Sequence, residues 1–368
     1  MEMLGKTIVE GKTKVVHQHA RNFDQVILVS KDRITAGDGA RAHEISGKAK
    51  VANDTTCTIF EFLNSVGIPS HFVARSGDMM VAKKVHMIPI ECVARRVAYG
   101  SYLRRFKTPF PVTEAYRFPT PCLEFFYKDD ANHDPQVTKE QLLSNPLLLD
   151  EAKQLRLTPK YVEQMELWTR AVFETLERAW AVQGCTLVDM KIEFGIDMQG
   201  RLILADVIDN DAWRVWPQGD RRLMKDKQFY RELKTVTDAD LTEVLKKYEW
   251  VADAVRGFKA RRPTACIAVG VDAPNLKGAQ TKLQHYSALT PISLTALQTI
   301  SEPTVVVTSA ALFASVASIT ACPVLIADAN TDSAVLREQI LRILARDDHV
   351  LWCSLHAEQI AATVAAQN

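Results

Sequence analysis

Between Leu187 and Ile208 two runs of residues flank a Gln199-Gly200 dipeptide, the first alternating polar with apolar, and the pattern predicts a β-hairpin with one buried face. Val188, Met190, Ile192, Phe194 and Ile196 take one side of the first strand, and Asp189, Lys191 and Glu193 the other. The second run is Arg201-Leu202-Ile203-Leu204-Ala205-Asp206-Val207-Ile208. With a two-residue turn at Gln199-Gly200, Ile192 faces Val207, Phe194 faces Ala205 and Ile196 faces Ile203. Glu193 then lies directly opposite Asp206, with Lys191 one step along. Opposed carboxylates repel one another. A divalent cation between them, with Lys191 close by, converts that repulsion into a site for Mg²⁺ and phosphate. The alternative is a solvated polar face with the register slipped by two.

Composition decides where such a site can get its charge. The 368 residues carry 45 Lys+Arg against 44 Asp+Glu, a formal net charge of +1. No global field favours nucleic acid or an anionic membrane, so phosphate chemistry must come from local clusters. The seven cysteines form no Cys-x-x-Cys pair, which predicts a reducing, cytoplasmic setting without a disulfide framework or structural zinc. Charges at Glu2, Lys6, Glu10, Lys12 and Lys14 argue against a secretory leader. Residues 304–327 hold no charge and are long enough to span a bilayer. They divide, however, into a β-branched run, an Ala-rich helical piece and a second strand, the pattern of buried parallel strands around a helix. From Pro263 onward there are 5 Lys/Arg and 8 Asp/Glu in 106 residues, against 40 and 36 in the first 262. That change predicts two domains, 1–259 and 263–368. The first is mixed α and β with mostly antiparallel signals, an α+β domain; the second is a small α/β doubly wound parallel sheet. One amphipathic helix starts at Thr158-Pro159 and a second runs from Asp238 to about Phe258.

Further local patterns add candidates. Ile8 to Val16 reads as strand, turn, strand, with Gly11 permitting close backbone approach and Lys12 and Lys14 on one side; this suits a lid over nucleotide phosphates or a solvated hairpin edge. Thr35 to Arg41 is a Gly-flanked loop displaying Asp38 and Arg41. Ile88 to Val97 is a strand with Glu91 and Arg95 on one face, followed by Gly100-Ser101; a guanidinium beside a Gly-Ser turn suits a monophosphate, and an exposed ion pair is the alternative. Phe125 to Pro135 packs Lys128, Asp129, Asp130, His133 and Asp134 into one turn, either a cation site or a flexible acidic loop. Asp209, Asp211 and Arg214 follow the hairpin, then Lys225, Lys227 and Arg231.

Taken in order, these segments resemble SAICAR synthetase: Glu10-Gly11-Lys12-Thr13-Lys14, Thr35 to Ala40, Ile90 to Arg95 with Gly100-Ser101, Lys128 to Ala131 with His133-Asp134-Pro135, Asp189 to Gly195, and Trp213-Arg214-Val215-Trp216. The resemblance covers about residues 5–258 and is strongest to the animal bifunctional form, in which an AIR carboxylase domain follows. It implies an ATP-grasp-like fold and the ATP-dependent joining of L-aspartate to CAIR, giving SAICAR, ADP and phosphate, with ATP and Mg²⁺ as cofactors. By the same resemblance Gly11, Lys12, Lys14, Lys191, Glu193 and Asp206 hold ATP and its Mg²⁺, and Arg95 and Ser101 grip the ribose 5-phosphate. Glu91 and Asp134 meet a Mg²⁺ on the imidazole carboxylate. Asp38, Arg214, Lys227 and Arg231 line the CAIR or aspartate sites, Lys191 acts in catalysis, and Asp189 and Asp134 are candidates for the base.

The tail departs from its counterpart. Cys266 to Gly270, Pro303 to Thr308 and Pro323 to Ile326 read as strands of a carboxylase-like domain. That family's Gly-Ser-x-Ser-Asp loop is replaced by Gly270 to Asn275, no Ser-Ala-His tripeptide occurs, and Thr308 to Phe313 lacks glycine. A backbone cradle around phosphate needs glycine. The expectation is a carboxylase-dead domain kept for homo-oligomer assembly. The rival expectations are a bifunctional carboxylase–synthetase, a non-catalytic scaffold, or an ATP-grasp ligase with another acceptor.

Overall fold

The computed structural model describes residues 3–37, 39–66, 68–106 and 112–259, together with four short strands of the tail. The N-terminal residues form β1 (Leu4–Glu10), β2 (Lys14–His19) and β3 (Gln25–Ser30), then a separate hairpin of β4 (Arg33–Ala36) and β5 (Arg41–Glu44), and then α1 (Lys48–Ser65). β6 (Phe72–Ser76) and β7 (Met79–Lys83) return to the first sheet, whose order is β1-β2-β3-β7-β6. Next come β8 (Val85–Val97), α2 (Ser101–Arg105), β9 (Arg117–Tyr127), β10 (Gln136–Val137), α3 (Lys139–Ser144), β11 (Leu148–Asp150) and β12 (Leu155–Arg156). They are followed by α4 (Pro159–Val182), β13 (Cys185–Asp197), β14 (Leu202–Ala205), β15 (Trp213–Pro217), α5 (Gln228–Glu232) and α6 (Asp238–Val255). The second sheet runs β10-β9-β8-β13-β14, and β15 also pairs with β13. The chain divides into two compact units. The first is Met1–Ala94, Leu123–Thr169 and Gln183–Phe258; the second is Arg95–Cys122, Arg170–Val182 and Lys259–Asn368.

In the first unit Ile34, Ile45, Ala52, Val244 and two whole tyrosines, Tyr230 and Tyr248, form a buried cluster beside α1 and α6. α6 begins where the sequence places it. Thr237 accepts from the Asp240 amide while the Asp240 carboxylate accepts from the Thr237 amide, a reciprocal cap that satisfies two orphan donors. In the second unit Glu177 holds Arg96 in a fork, Oε1 to Nε at 2.7 Å and Oε2 to Nη2 at 2.8 Å, and Arg117 adds a 3.1 Å contact. Arg96 Nη1 donates to the carbonyls of Phe118 and Pro119, so both buried charges are saturated.

Two expectations from the sequence need correction. The hairpin register is one residue off: Glu193 pairs with Ala205, Phe194 with Leu204, Gly195 with Ile203 and Ile196 with Leu202. Asp197 is the cause. Its carboxylate accepts from the Gln199 amide (3.0 Å) and from the amide and Nε of Arg201 (2.9 and 2.8 Å), closing a three-residue loop with Gly200 at φ +75°. Glu193 therefore does not lie opposite Asp206, which falls beyond the end of β14. The second correction is α1, an 18-residue helix in a stretch where the sequence reading names no helix. Its start is capped from outside by Asp32, which accepts from the amides of Gly47 (3.2 Å) and Ala49 (2.8 Å). Its buried face includes Asn53, Thr55 and Thr56, so neither a local cap nor an apolar stripe announces it.

In the tail, Ala265–Val269, Thr290–Pro291, Thr304–Thr308 and Val324–Ile326 pair in parallel, with the 265–269 strand between 290–291 and 304–308, and 324–326 beyond. The expected helix over 310–319 and the loop at 270–275 lie outside the described residues, as does Asp38. No helix among the described residues is long and apolar enough to cross a membrane.

Candidate active site

β13 organises the site because it has two antiparallel partners in tandem. Its first half pairs with β15 and its second half with β14. Between the two ladders the 206–212 segment crosses its middle, fastened by the Lys191 amide donating to the Ala212 carbonyl at 2.7 Å. Alternation puts Asp189, Lys191 and Glu193 on one face of β13. The extra residue Val188 in the β15 ladder sets Asp189 opposite Arg214, as bulges do when they re-aim a side chain.

The first cluster gathers three ammonium groups and three carboxylates from distant parts of the first unit. Lys191 Nζ donates to Glu91 Oε1 at 2.7 Å and to Glu193 Oε1 at 3.2 Å. Lys128 Nζ donates to Glu193 Oε2 at 2.7 Å, and Lys14 pairs with Asp206. Asp206 reaches this group through its backbone: φ is +63°, a left-handed conformation that swings its side chain away from the strand direction. Burial alone would raise the Asp206 carboxyl; the charges of Lys14, Lys191 and Lys128 overcome it and bring it down to about 2. Burial would likewise lower Lys191, but Glu193, Glu91 and Asp206 hold it well above the usual lysine value. Both groups stay charged at neutral pH. Glu193 is almost fully buried, whereas the side chains of Lys128 and Lys191 are 43% and 35% exposed. The cations thus open toward solvent over a buried anionic floor, where an incoming polyanion can compete for the lysines.

A second cluster lies along the neighbouring stretch of β13. Arg214 Nη1 donates to Asp189 Oδ2 at 2.5 Å. Lys227 donates to Asp211 Oδ2 at 2.7 Å, and the Tyr248 hydroxyl donates to Asp211 Oδ1. Buried Lys48 stacks its ammonium 5.0 Å above the Tyr248 ring. Burial pushes the Asp209 carboxyl up to about 6, with the charge of Asp211 adding to it, while Lys227 and Lys48 hold Asp211 below the usual carboxylate range against its own burial.

Asp226 closes this region by accepting from the amides of Val215 (3.0 Å) and Gln228 (2.9 Å), and burial lifts it to about 6 from an ordinary 3.8. The folded state therefore holds this proton more tightly than the unfolded chain. Its contribution to stability is complete below about pH 3.8 and is lost as pH rises through about 6. Urea unfolding of the wild type and Asp226→Asn at pH 4.5 and 7.5 checks this. The wild type should lose more stability than the variant between those two pH values; equal losses would contradict the assignment.

The remaining candidates are placed as follows. Lys12 lies in the exposed turn between β1 and β2, so strand alternation does not link it to Lys14. A Cβ on Gly11 would meet only the Lys14 carbonyl, at an ordinary 3.5 Å, and the fold itself does not demand glycine there. In the second unit Arg95 Nη2 donates to Ser101 Oγ at 3.2 Å, bringing that expected pair together. Asp134 accepts from the Asp129 amide at 2.7 Å in a turn where His133 and Asp134 are both left-handed. Glu91 and Asp134 thus have different partners. The Arg231 carbonyl accepts from Arg41 at 3.3 Å, beside the Tyr230 carbonyl. Among the described residues no group of three or more His, Cys, Asp or Glu is set to hold a metal ion. Lys48 and Tyr248 are participants that the sequence reading did not single out, and Lys128 was named only as part of the acidic turn, without a place beside Glu193. Lys128 had a visible signal, a lone base directly after an aromatic strand; Lys48 and Tyr248 join through tertiary packing alone.

Comparison with known proteins gives the family. The family described as SAICAR synthetase matches residues 7–248. The bifunctional phosphoribosylaminoimidazole carboxylase/phosphoribosylaminoimidazole succinocarboxamide synthetase of Drosophila melanogaster is 49% identical over 251 residues, 68% of this chain and 57% of that protein. The chain therefore spans under two thirds of that relative. The phosphoribosylaminoimidazole-succinocarboxamide synthase of Chloroflexus aggregans is 47% identical over 251 residues and matched over 95% of its length. Among solved structures, the phosphoribosylaminoimidazole-succinocarboxamide synthase of Ehrlichia chaffeensis aligns with a TM-score of 0.59 and 30% identity, over 69% of this chain and all of its own. A SAICAR synthetase in complex with ADP aligns at 0.57 and 30% identity, over 69% of this chain and 99% of its own. The family match over residues 7–248, more than half of the chain, shows that it belongs to the SAICAR synthetase family.

Proposed function

We propose that this chain is an ATP-dependent amide-forming ligase that joins L-aspartate to CAIR, releasing SAICAR, ADP and phosphate, in purine biosynthesis. The observation that carries the reading is the convergence of Lys14, Lys128 and Lys191 on Glu193, Glu91 and Asp206. A carboxylate is a poor acylating agent, so the CAIR carboxylate first attacks the γ-phosphoryl group of ATP, and ADP leaves. The aspartate amine then attacks the acyl carbon, and phosphate departs with its bonding pair. Such transfers need positioning and charge neutralisation more than a protein nucleophile. The lysines would draw the phosphates and balance the charge that moves onto the leaving oxygen. Glu193 and Asp206 supply hard oxygen donors, the number and type that suit Mg²⁺ shared with phosphates, and these two residues would hold it. When bound, Mg²⁺ would neutralise charge on the β and γ oxygens. Glu91 and Asp134 would meet a Mg²⁺ on the imidazole carboxylate.

The reading extends to the other candidates. Arg95 and Ser101 would take the ribose 5-phosphate. Asp38, Arg214, Lys227 and Arg231 would line the CAIR and aspartate sites. Gly11 and Lys12 would close over the nucleotide, and Asp189 or Asp134 would receive the amine proton. The synthetase domain, 1–259, would be ATP-grasp-like and cytoplasmic. Residues 263–368 would form a doubly wound carboxylase-like domain without carboxylase activity, assembling a homo-oligomer; supplying AIR and CO₂ should give no turnover, and a rate near that of the synthetase step would restore the bifunctional reading. The decisive test is ADP release screened over CAIR and amino acids. Release that requires both CAIR and aspartate is expected. ADP release with a different amino acid would name another acceptor, and nucleotide binding without release would favour a scaffold.

A further inference from the structure

Among the described residues, Asp206 is one of few non-glycine residues with positive φ, and the first cluster depends on that conformation. Aspartate enters the left-handed region more readily than most residues, but still at a cost, so a contact that holds its peptide favours this conformation. The Asp206 carbonyl faces His71 Nε2 at 2.9 Å, and because a carbonyl only accepts, Nε2 carries the hydrogen. His71 is itself fixed on every side. Its amide donates to the Leu204 carbonyl (2.8 Å), its carbonyl accepts from the Lys83 amide (2.7 Å), and its ring meets Phe60 edge-on at 5.3 Å. The Leu204 amide in turn donates to the Pro69 carbonyl at 3.0 Å. The 69–71 stretch thus clamps the end of β14, and the imidazole reaches one residue further to the point where the chain turns left-handed. His71 is 3% exposed and touches neither lysine nor carboxylate of the cluster through its hydrogen bond.

We propose that His71 is a positioning residue for nucleotide and magnesium binding, holding Asp206 by its carbonyl so that the carboxylate stays beside Lys14, where it would share a Mg²⁺ with the ligand phosphates. The proposal rests on the ligase reading above. It separates two things that a buried histidine could do: fill space beside Phe60, or orient one acid. Only the second depends on a donor at the Nε2 position, and only the second acts selectively on the magnesium-dependent part of nucleotide affinity.

The test is calorimetric titration of the full chain with ADP, once with excess Mg²⁺ and once with EDTA. His71→Met keeps the bulk and removes the donor; His71→Gln keeps a donor at about the same reach. The expected result is that the Mg²⁺-dependent gain in ADP affinity falls about tenfold in His71→Met, the size of one lost hydrogen bond, and is restored in His71→Gln, with any change in EDTA clearly smaller than the change with Mg²⁺. A gain equal to the wild type in folded His71→Met, or an equal loss with and without Mg²⁺, overturns the proposal while leaving the ligase reading in place. A wild-type chain that binds no ADP sinks both. Nitrogen-15 NMR of the wild-type imidazole needs no variant: the Nε2–H tautomer is expected, and the Nδ1–H tautomer overturns the proposal even should both variants fail to fold.

Discussion

Glu193→Gln cuts aspartate-dependent ADP release by about 10²-fold or more, the scale of losing one charge-stabilising group. The substitution is nearly isosteric, so packing around a side chain only 2% exposed is kept. What changes is charge and donor count. Glu193 accepts from Lys128 on one oxygen and from Lys191 on the other. A glutamine accepts on one atom only, and its amide hydrogens then point at an ammonium. Lys191 keeps Glu91 at 2.7 Å, but Lys128 or Lys191 is left facing a donor, and an oxygen ligand for Mg²⁺ is gone. Asp206→Asn should show a loss of similar size, because it removes the negative charge that faces Lys14 and a charged oxygen ligand for Mg²⁺. Steady-state ADP release beside a thermal unfolding midpoint checks both; turnover near the wild-type rate in a folded variant would remove Glu193 and Asp206 from the nucleotide site.

Gly195→Ala should destabilise the fold by about 1–3 kcal/mol, the usual cost of overpacking. A Cβ there would sit 2.5 Å from Val85 Cγ2, 2.8 Å from Val85 Cβ and 3.3 Å from the His86 carbonyl oxygen. None of these can easily retreat. Valine is stiff at χ1, and the carbonyl belongs to backbone in β8. The chain must therefore shift β13 against β8, and Glu193 and Glu91 ride on those two strands. Turnover should fall along with the urea midpoint. Adding Val85→Ala removes the Cγ2 clash but not the Cβ one, so the double variant should recover part of the loss and show clear non-additivity. Strict additivity would mean that the contact is not the cause.

Much of the secondary structure was legible because its signals are local. Thr158-Pro159 starts α4, Asp238 starts α6, and the strands at 85–97 and 185–197 follow their apolar patterns. α1 was illegible because its cap comes from Asp32 and its buried face carries Asn53, Thr55 and Thr56. The hairpin was legible as a hairpin, but its register was decided by one carboxylate, Asp197, taking three hydrogen bonds in the turn. The candidate site shows the same division. Lys191, Glu193 and Asp206 were marked in the sequence as candidates for phosphate and cation chemistry and do fall in one cluster, yet the reason they meet is not cross-strand opposition. It is a left-handed backbone at Asp206 and the arrival of Lys14 and Lys128 from elsewhere in the first unit. Period-2 patterns report which face a residue takes, not which turn conformation follows the strand.

Because Asp189, Lys191 and Glu193 are alternate residues of one continuous extended segment, their spacing is set by peptide geometry: about 7 Å from one to the next and about 13 Å from end to end. The strand is a ruler. A ligand that engages the Arg214–Asp189 pair at one mark and the lysine cluster at the other meets anchor points of fixed spacing, adjusted only by the reach of the side chains, and discrimination against much shorter or longer acceptors would then start in the backbone itself.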